Sequence, residues 1–180
     1  MMRALLIVCL ALAASSAAAQ DRPPAERVVT ASVVADVPVS EAWRLWTTNE
    51  GVTSFFAPAA NIELRPQGPF ELFFAPDAEP GQRGSDGTII LGYQEERMLS
   101  ASWALPPYME EVRPHHTHLL IRFEPLDEDR TRVSLTHSGW GEGEAWDTAY
   151  AYFENVWPRV LEAMQASDSD SDSATEEAGD

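Results

Sequence analysis

His137 lies in the run Val133 to Trp140, VSLTHSGW, which alternates apolar and polar residues, and it occupies a position where an inward-facing apolar residue is due. An imidazole there can serve as a neutral core group bonded to a carbonyl or hydroxyl, as a polar contact to a bound ligand, or as a general acid or base. Acid/base work needs a second titratable or orienting group within hydrogen-bond reach. Alternation along the neighbouring runs supplies no inward carboxylate. Val133, Leu135 and His137 share one face; Thr117, Leu119, Ile121 and Phe123 form a second inward set, Leu99, Ala101 and Trp103 a third, and Ile89, Leu91 and Tyr93 a fourth. If the chain is an enzyme, His137 is its catalytic candidate, acting with Tyr93, Tyr150 or a substrate group. If it is a binding module, the residues expected to line the pocket are Trp46, Phe55, Tyr93, Trp103, His137, Trp140 and Tyr150.

Two further patterns carry possible chemistry. In HHTH, His115 to His118, a strand would place His116 and His118 on one face about 7 Å apart, but outward, and zinc wants three or four ligands. Asp168, Asp170 and Asp172 alternate as in a calcium loop, yet Ser173 stands where the turn glycine belongs and Gly179 where the bidentate glutamate belongs. No metal site and no cofactor are expected, and there is no phosphate-cradling glycine loop or nucleophile elbow.

The elements that must position these residues follow from pattern. RVVTASVVADVP reads as a strand ended by Pro38; Ser40 is placed to cap a short helix bearing Trp43 and Trp46, and Asn49 to cap another reaching Phe55 and Phe56. NIELR, PFELFFA, GTIILGY, MLSASWAL, THLLIRFEPL and TRVSLTHSG follow, separated by turn-rich segments, so about seven strands form an antiparallel meander. From Glu144 the period becomes helical, and Trp146, Ala149, Tyr150, Phe153, Trp157, Val160, Leu161 and Met164 make one apolar stripe, with Pro158 expected to kink it near Glu154. The sheet has one face to bury and only this helix is large enough to cover it. A curved sheet around a long C-terminal helix is the α+β architecture expected.

The ends are of different character. Residues 1–19, MMRALLIVCLALAASSAAA, read as a secretory signal peptide cut before Gln20, so the protein is expected to be exported: periplasmic in a Gram-negative source, otherwise secreted. Its apolar stretch falls short of the roughly 18 to 20 residues a membrane span needs. Residues 20–27 form a Pro-bearing linker, 28–165 the domain, and 166–180 an acidic tail expected to be disordered because nothing in it can bury. Cys9 is the only cysteine and lies in the leader, so no disulfide or thiol chemistry is available to the mature chain. The formal charge of −17 repels phosphate backbones and anionic lipid, which argues against nucleic acid and membrane surfaces as partners.

Three stretches in this order carry a resemblance: VPVSEAWRLWT, the L-x-x-x-W of Leu99 to Trp103, and TRVSLTHSGW followed by the Trp-rich last helix. From about Val28 to Gln165 the chain resembles the helix-grip fold of the SRPBCC or START-like superfamily, in its branch named for the activator of heat shock protein 90 ATPase homologue. EERM at Glu95 to Met98 departs from the proline-rich turn common in that branch, and the long PPYMEEVRPHH segment is expected to reshape one mouth of a cavity. The resemblance implies a scaffold that binds apolar small molecules and, in some branches, performs cyclase, dehydratase or hydrolase chemistry. The expectation is therefore a monomeric, exported module holding a small apolar or aromatic molecule between sheet and helix. An enzyme using His137, and a protein-interaction or chaperone-cofactor-like domain, stand as alternatives.

Overall fold

The computed structural model describes residues 26–176, with side chains through residue 166. The leader, most of the linker, the end of the acidic tail and the side chains of its aspartates lie outside the described residues. The elements run β1 (Val29–Ala35), α1 (Val39–Thr47), α2 (Asn49–Phe55), β2 (Ala59–Ile62), β3 (Phe70–Phe73), β4 (Ile90–Gln94), β5 (Met98–Ala104), β6 (His116–Pro125), β7 (Thr131–Ser138) and α3 (Glu144–Glu176). Seven strands form, but they divide. Five make an antiparallel sheet in the order β1-β7-β6-β5-β4, and β2 pairs only with β3. The division follows from the PQG turn, where Gln67 takes a left-handed φ of 60°, and from the long loop after β3. Backbone bonds such as Phe70 N–H to Thr88 O (2.9 Å) and Ile90 N–H to Gly68 O (2.8 Å) still tie the hairpin to the larger sheet, so the curved wall is continuous.

Both helix caps precede the expected ones, by two residues for α1 and by one for α2. α1 begins directly after Pro38, whose fixed φ suits a helix entry and which offers no side-chain cap. Thr48, not Asn49, caps α2: its Oγ1 accepts from Gly51 N–H at 2.9 Å. Asn49 instead uses Oδ1 to accept from Ile62 N–H at 2.8 Å, tying α2 to β2. Trp43 and Trp46 are buried on the inner side of α1 as their spacing requires.

Strand parity holds on β5, β6 and β7, whose inward sets are all buried. It fails on β4. A bulge between Ile90 and Gly92 inserts an extra residue, so Ile90 faces Ala101 and Tyr93 faces Leu99, while Leu91 turns to solvent at 50% exposure. The expected set of Ile89, Leu91 and Tyr93 is thereby replaced by Ile90, wholly buried, and Tyr93, which sits at the sheet edge against Trp43 at 6.2 Å.

The α3 stripe packs Ala149, Phe153, Trp157, Leu161 and Met164 into the core against the sheet and the first helix. Pro158 lies inside α3 and removes one donor from its ladder. The helix continues to Glu176, through part of the acidic tail whose composition argues for disorder; beyond Met164 that segment has no large apolar residue with which to pack.

Candidate functional site

The last strand brings His137 between Val29 of β1 and Leu119 of β6, beneath α3. It is fully buried. Trp157 Nε1–H donates to His137 Nδ1 at 2.9 Å, and because an indole nitrogen can only donate, Nδ1 must be the unprotonated nitrogen. His137 Nε2–H therefore donates to Thr117 Oγ1 at 2.6 Å, and Thr117 Oγ1–H passes on to the Trp103 carbonyl at 3.1 Å. Every donor and acceptor in this relay of side chains has a partner. Burial, reinforced by the nearby His118, pushes the His137 pKa down to about 3, so the ring is neutral at physiological pH. Trp140 packs over it at 4.2 Å and donates Nε1–H to the His137 carbonyl at 3.0 Å, while Phe153 closes another side at 4.8 Å.

A cleft of about 510 Å³ opens beside this sealed network, at the end of β5. Its inner surface is aromatic. Phe56, just past α2, lies parallel to Trp103 (centroids 6.0 Å apart, 11° between planes), and Trp103 meets Trp157 edge-on at 5.3 Å. Phe153 and Val156 complete the α3 side. One rim is Phe74, Ala75 and Gln82 to Ser85, from the loop after β3; the other is Pro106, Pro107, Tyr108 and Glu110, from the PPYMEEVRPHH segment. Tyr108 and Tyr152 meet edge-on across the mouth at 6.4 Å.

The two rims are locked together. Asp86 Oδ2 accepts from the amides of Arg83 (2.8 Å) and Gly84 (3.0 Å), and Oδ1 from Gly81 N–H (3.0 Å) and Arg83 Nε (2.7 Å). Burial alone would raise the Asp86 carboxyl, but these hydrogen bonds bring it below its ordinary value. Arg113 reaches across from the other loop, donating to the carbonyls of Leu105 and of Gly81, the latter at 3.0 Å, with Asp86 Oδ2 at 3.8 Å. Gly84 permits the loop to pass close to β3, since a Cβ there would lie 2.2 Å from the Leu72 carbonyl oxygen.

Of the seven candidate pocket residues, Trp103 lines this cleft. Trp46 is wholly buried in the core, with Nε1–H directed at Met164 Sδ (3.0 Å), and Phe55 packs edge-on against it at 5.3 Å. Tyr93 lies at the β4 edge. His137 and Trp140 belong to the sealed network. Tyr150 packs edge-on against Trp140 at 5.3 Å and ties the start of β1 to α3, its hydroxyl donating to the Val28 carbonyl at 3.1 Å under the Arg27 guanidinium. Sequence reasoning missed Phe56, Phe74, Phe153 and Trp157 as lining residues. The length and proline content of PPYMEEVRPHH were the available signal for the mouth.

His116 and His118 share the outer face of β6, His116 exposed and His118 Nε2 sharing a hydrogen bond with Ser100 Oγ at 2.8 Å, while His115, before the strand, packs near Trp146 (5.6 Å). Among the described residues no group of three or more His, Cys, Asp or Glu is placed to hold a metal ion, and no helix is long and apolar enough to cross a membrane.

Comparison with known proteins agrees with this architecture. Protein MLL2253 of Mesorhizobium loti superposes with a TM-score of 0.63 at 17% identity, over 78% of this chain and 96% of that one. Protein NE0264 of Nitrosomonas europaea does so at 0.59 and 17% identity, over 83% and 98%. An HSP90 activator from Plasmodium falciparum, PFC0360w, matches at 0.56 and 15% identity, over 72% and 86%. At these identities the likeness is one of fold. No curated protein matches the chain in sequence. The model of the family described as Activator of Hsp90 ATPase homolog 1-like protein matches residues 36–167, from the end of β1 through the packed part of α3. With well over half its length matched and the fold in agreement, the chain belongs to that family.

Proposed function

We propose that the protein is an exported binding module that holds a small apolar or aromatic molecule in the cleft between the end of β5, the loop after β3 and the outer edge of α3. The observation that carries this reading is the cleft itself: about 510 Å³, walled by Phe56, Trp103, Phe153 and Trp157, with polar groups mainly at its rims. Small-molecule sites have volumes of roughly 300 to 1,000 Å³ and this kind of apolar lining. From α3 the cleft is lined by Tyr152, Phe153, Val156 and Trp157, so the ligand meets a short stretch of the helix and does not run along its length.

The alternative, in which His137 moves a proton on a cyclic or ester-like substrate, finds less support. Both ring nitrogens are engaged by Trp157 and Thr117, the ring does not line the cleft, and its pKa near 3 makes it a poor base at neutral pH. A chaperone-cofactor role rests on the Plasmodium falciparum relative, whose likeness is one of fold. Pull-down with and without residues 166–180 addresses that role.

Two measurements test the binding reading. Native mass spectrometry of protein purified from its own host is expected to show a co-purifying small molecule on a monomer. Titration with N-phenyl-1-naphthylamine is expected to give saturable one-to-one fluorescence enhancement. A protein that carries nothing and shows no saturable dye binding contradicts it. N-terminal sequencing of the exported protein checks cleavage before Gln20.

A further inference from the structure

With 29 acidic residues against 12 basic ones, a carboxylate is available to almost any arginine of this chain. Among the described residues every arginine forms an ion pair except Arg97, Arg122 and Arg159. Arg159 is exposed on α3. Arg97 and Arg122 meet in one place: with Gln94, Glu124, Arg132 and Ser134 they line a pocket of about 350 Å³ on the outer face of the sheet. Phe123 also borders it but is 2% exposed, so the surface open to a ligand is polar. The pocket lies at the start of β5 and the end of β6, whereas the aromatic cleft lies where β5 ends. The two are separate sites on opposite faces.

Local structure gathers these charges. The EERM turn places Glu96 at a φ of 55°, a left-handed conformation uncommon for a residue with a side chain, and Arg97 N–H closes the turn onto the Gln94 carbonyl at 3.0 Å. Phe123 N–H donates to the Arg97 carbonyl at 3.0 Å, which fixes the turn against β6 beside Arg122. In the sheet register Arg122 faces Ser134 and Glu124 faces Arg132, so Arg122 and Arg132 are diagonal neighbours roughly 7 to 8 Å apart. Arg132 Nη1 is bonded to Glu124 at 2.6 Å. The guanidinium groups of Arg97 and Arg122 have no partner among the described residues.

We propose that this pocket is a second binding site, for a small dianionic oxyanion of the phosphate type, held between Arg97 and Arg122 with Arg132 at its edge. It does not depend on the aromatic cleft being a site. Like charges set side by side on a sheet repel, and an anion between them turns that cost into attraction. The lining side chains carry three positive charges and the one negative charge of Glu124, which leaves an excess matching a dianion. Glu95 and Glu96 belong to the same turn but do not line the pocket. Each guanidinium presents a fork that grips two oxygens. A tetrahedral phosphate can fill two such forks at once; a carboxylate offers two oxygens and a single charge. Size matters as well. The formal charge of −17 acts on any long polyanion, whereas a small ion responds to the field within a Debye length of about 8 to 10 Å, where the arginines dominate.

The test titrates inorganic phosphate into the intact protein by calorimetry at about pH 7.5, where phosphate is chiefly a dianion, with ionic strength held constant by chloride. Saturable one-to-one binding is expected, with a Kd of about 1 mM or tighter. Arg97→Gln and Arg122→Gln should each weaken it at least about tenfold, while Arg159→Gln, which removes the same charge from α3, leaves it within about twofold. In ¹⁵N-labelled unmodified protein, the backbone amides of Arg97 and Arg122 to Glu124 are expected to shift with phosphate and much less with acetate, a readout that needs no variant to fold. Absence of saturable binding overturns the proposal. So does an equal loss in Arg159→Gln, which marks general charge attraction, or acetate binding as tight as that of phosphate. Phosphate that displaces N-phenyl-1-naphthylamine would lie in the aromatic cleft and also overturn it; failure of the dye to bind bears only on the cleft.

Discussion

Two tryptophans 5.3 Å apart divide the interior into regions of opposite character. On the Trp157 side, the indole, His137, Thr117 and the Trp103 carbonyl form a closed relay in which each donor meets an acceptor, with the ring fully buried. On the Trp103 side, the indole lines an open cleft and its buried N–H has no partner among the described residues. A titratable residue in a sheet looks like the obvious functional group, yet here its hydrogen bonds are consumed internally. The unsatisfied donor belongs to a residue with no acid/base chemistry at all. Complete pairing marks the His137 network as structural, and the open aromatic cleft beside it is where a ligand can be held.

Substitutions can break this contrast. Trp157→Ala removes a wholly buried indole and leaves His137 Nδ1 without its donor, so it should cost about 4 kcal/mol in chemical denaturation, enough to threaten folding of a domain this size. Thr117→Val strands the His137 Nε2–H and should cost about 2 kcal/mol by the same measurement. Trp103→Phe, chemically the same kind of change as Trp157→Phe, should fall within about 1 kcal/mol of the parent, because loss of packed volume is offset by removing an unpaired donor. A cost for Trp103→Phe equal to that of Trp157→Phe would erase the distinction between the two sides.

A pH dependence sharpens the same comparison. The unfolded His137 takes up a proton near its ordinary 6.5, whereas in the folded protein burial delays protonation to about pH 3. The unfolded state thus binds more protons across that interval. The stability associated with the neutral ring is complete above about pH 6.5 and declines as pH falls toward 3, with a slope approaching about 1.4 kcal/mol per pH unit. His137→Gln should remove this slope between pH 6 and 5, where most carboxylates have yet to titrate, as read from the difference between the two stability curves.

The fold was largely legible because it is written in local periodicity: β5, β6 and β7 alternate cleanly, and the α3 stripe recurs at helical spacing. The inward direction of His137 followed from that alternation. Its partners did not, because Trp157 and Thr117 are each 20 residues away and meet it only when β6, β7 and α3 pack. The β4 register was illegible for a different reason: a bulge between Ile90 and Gly92 reverses parity without any glycine-specific φ to announce it. The cleft lies in loops without periodicity, and the lock between Asp86 and Arg113 spans residues that no short motif connects. Trp103 was reached because it sits on a regular strand, while Phe56 and Phe74 lie just beyond the ends of α2 and β3.

The central claim, that the cleft and not His137 is the functional site, is tested most directly by titrating N-phenyl-1-naphthylamine into the parent protein, Val156→Trp and His137→Gln. Val156 is half-buried on the cleft side of α3, so a tryptophan there fills the cavity without entering the core. Val156→Trp is expected to weaken dye binding by at least about tenfold while His137→Gln leaves it within about twofold. Retained binding in Val156→Trp together with its loss in a folded His137→Gln would contradict it.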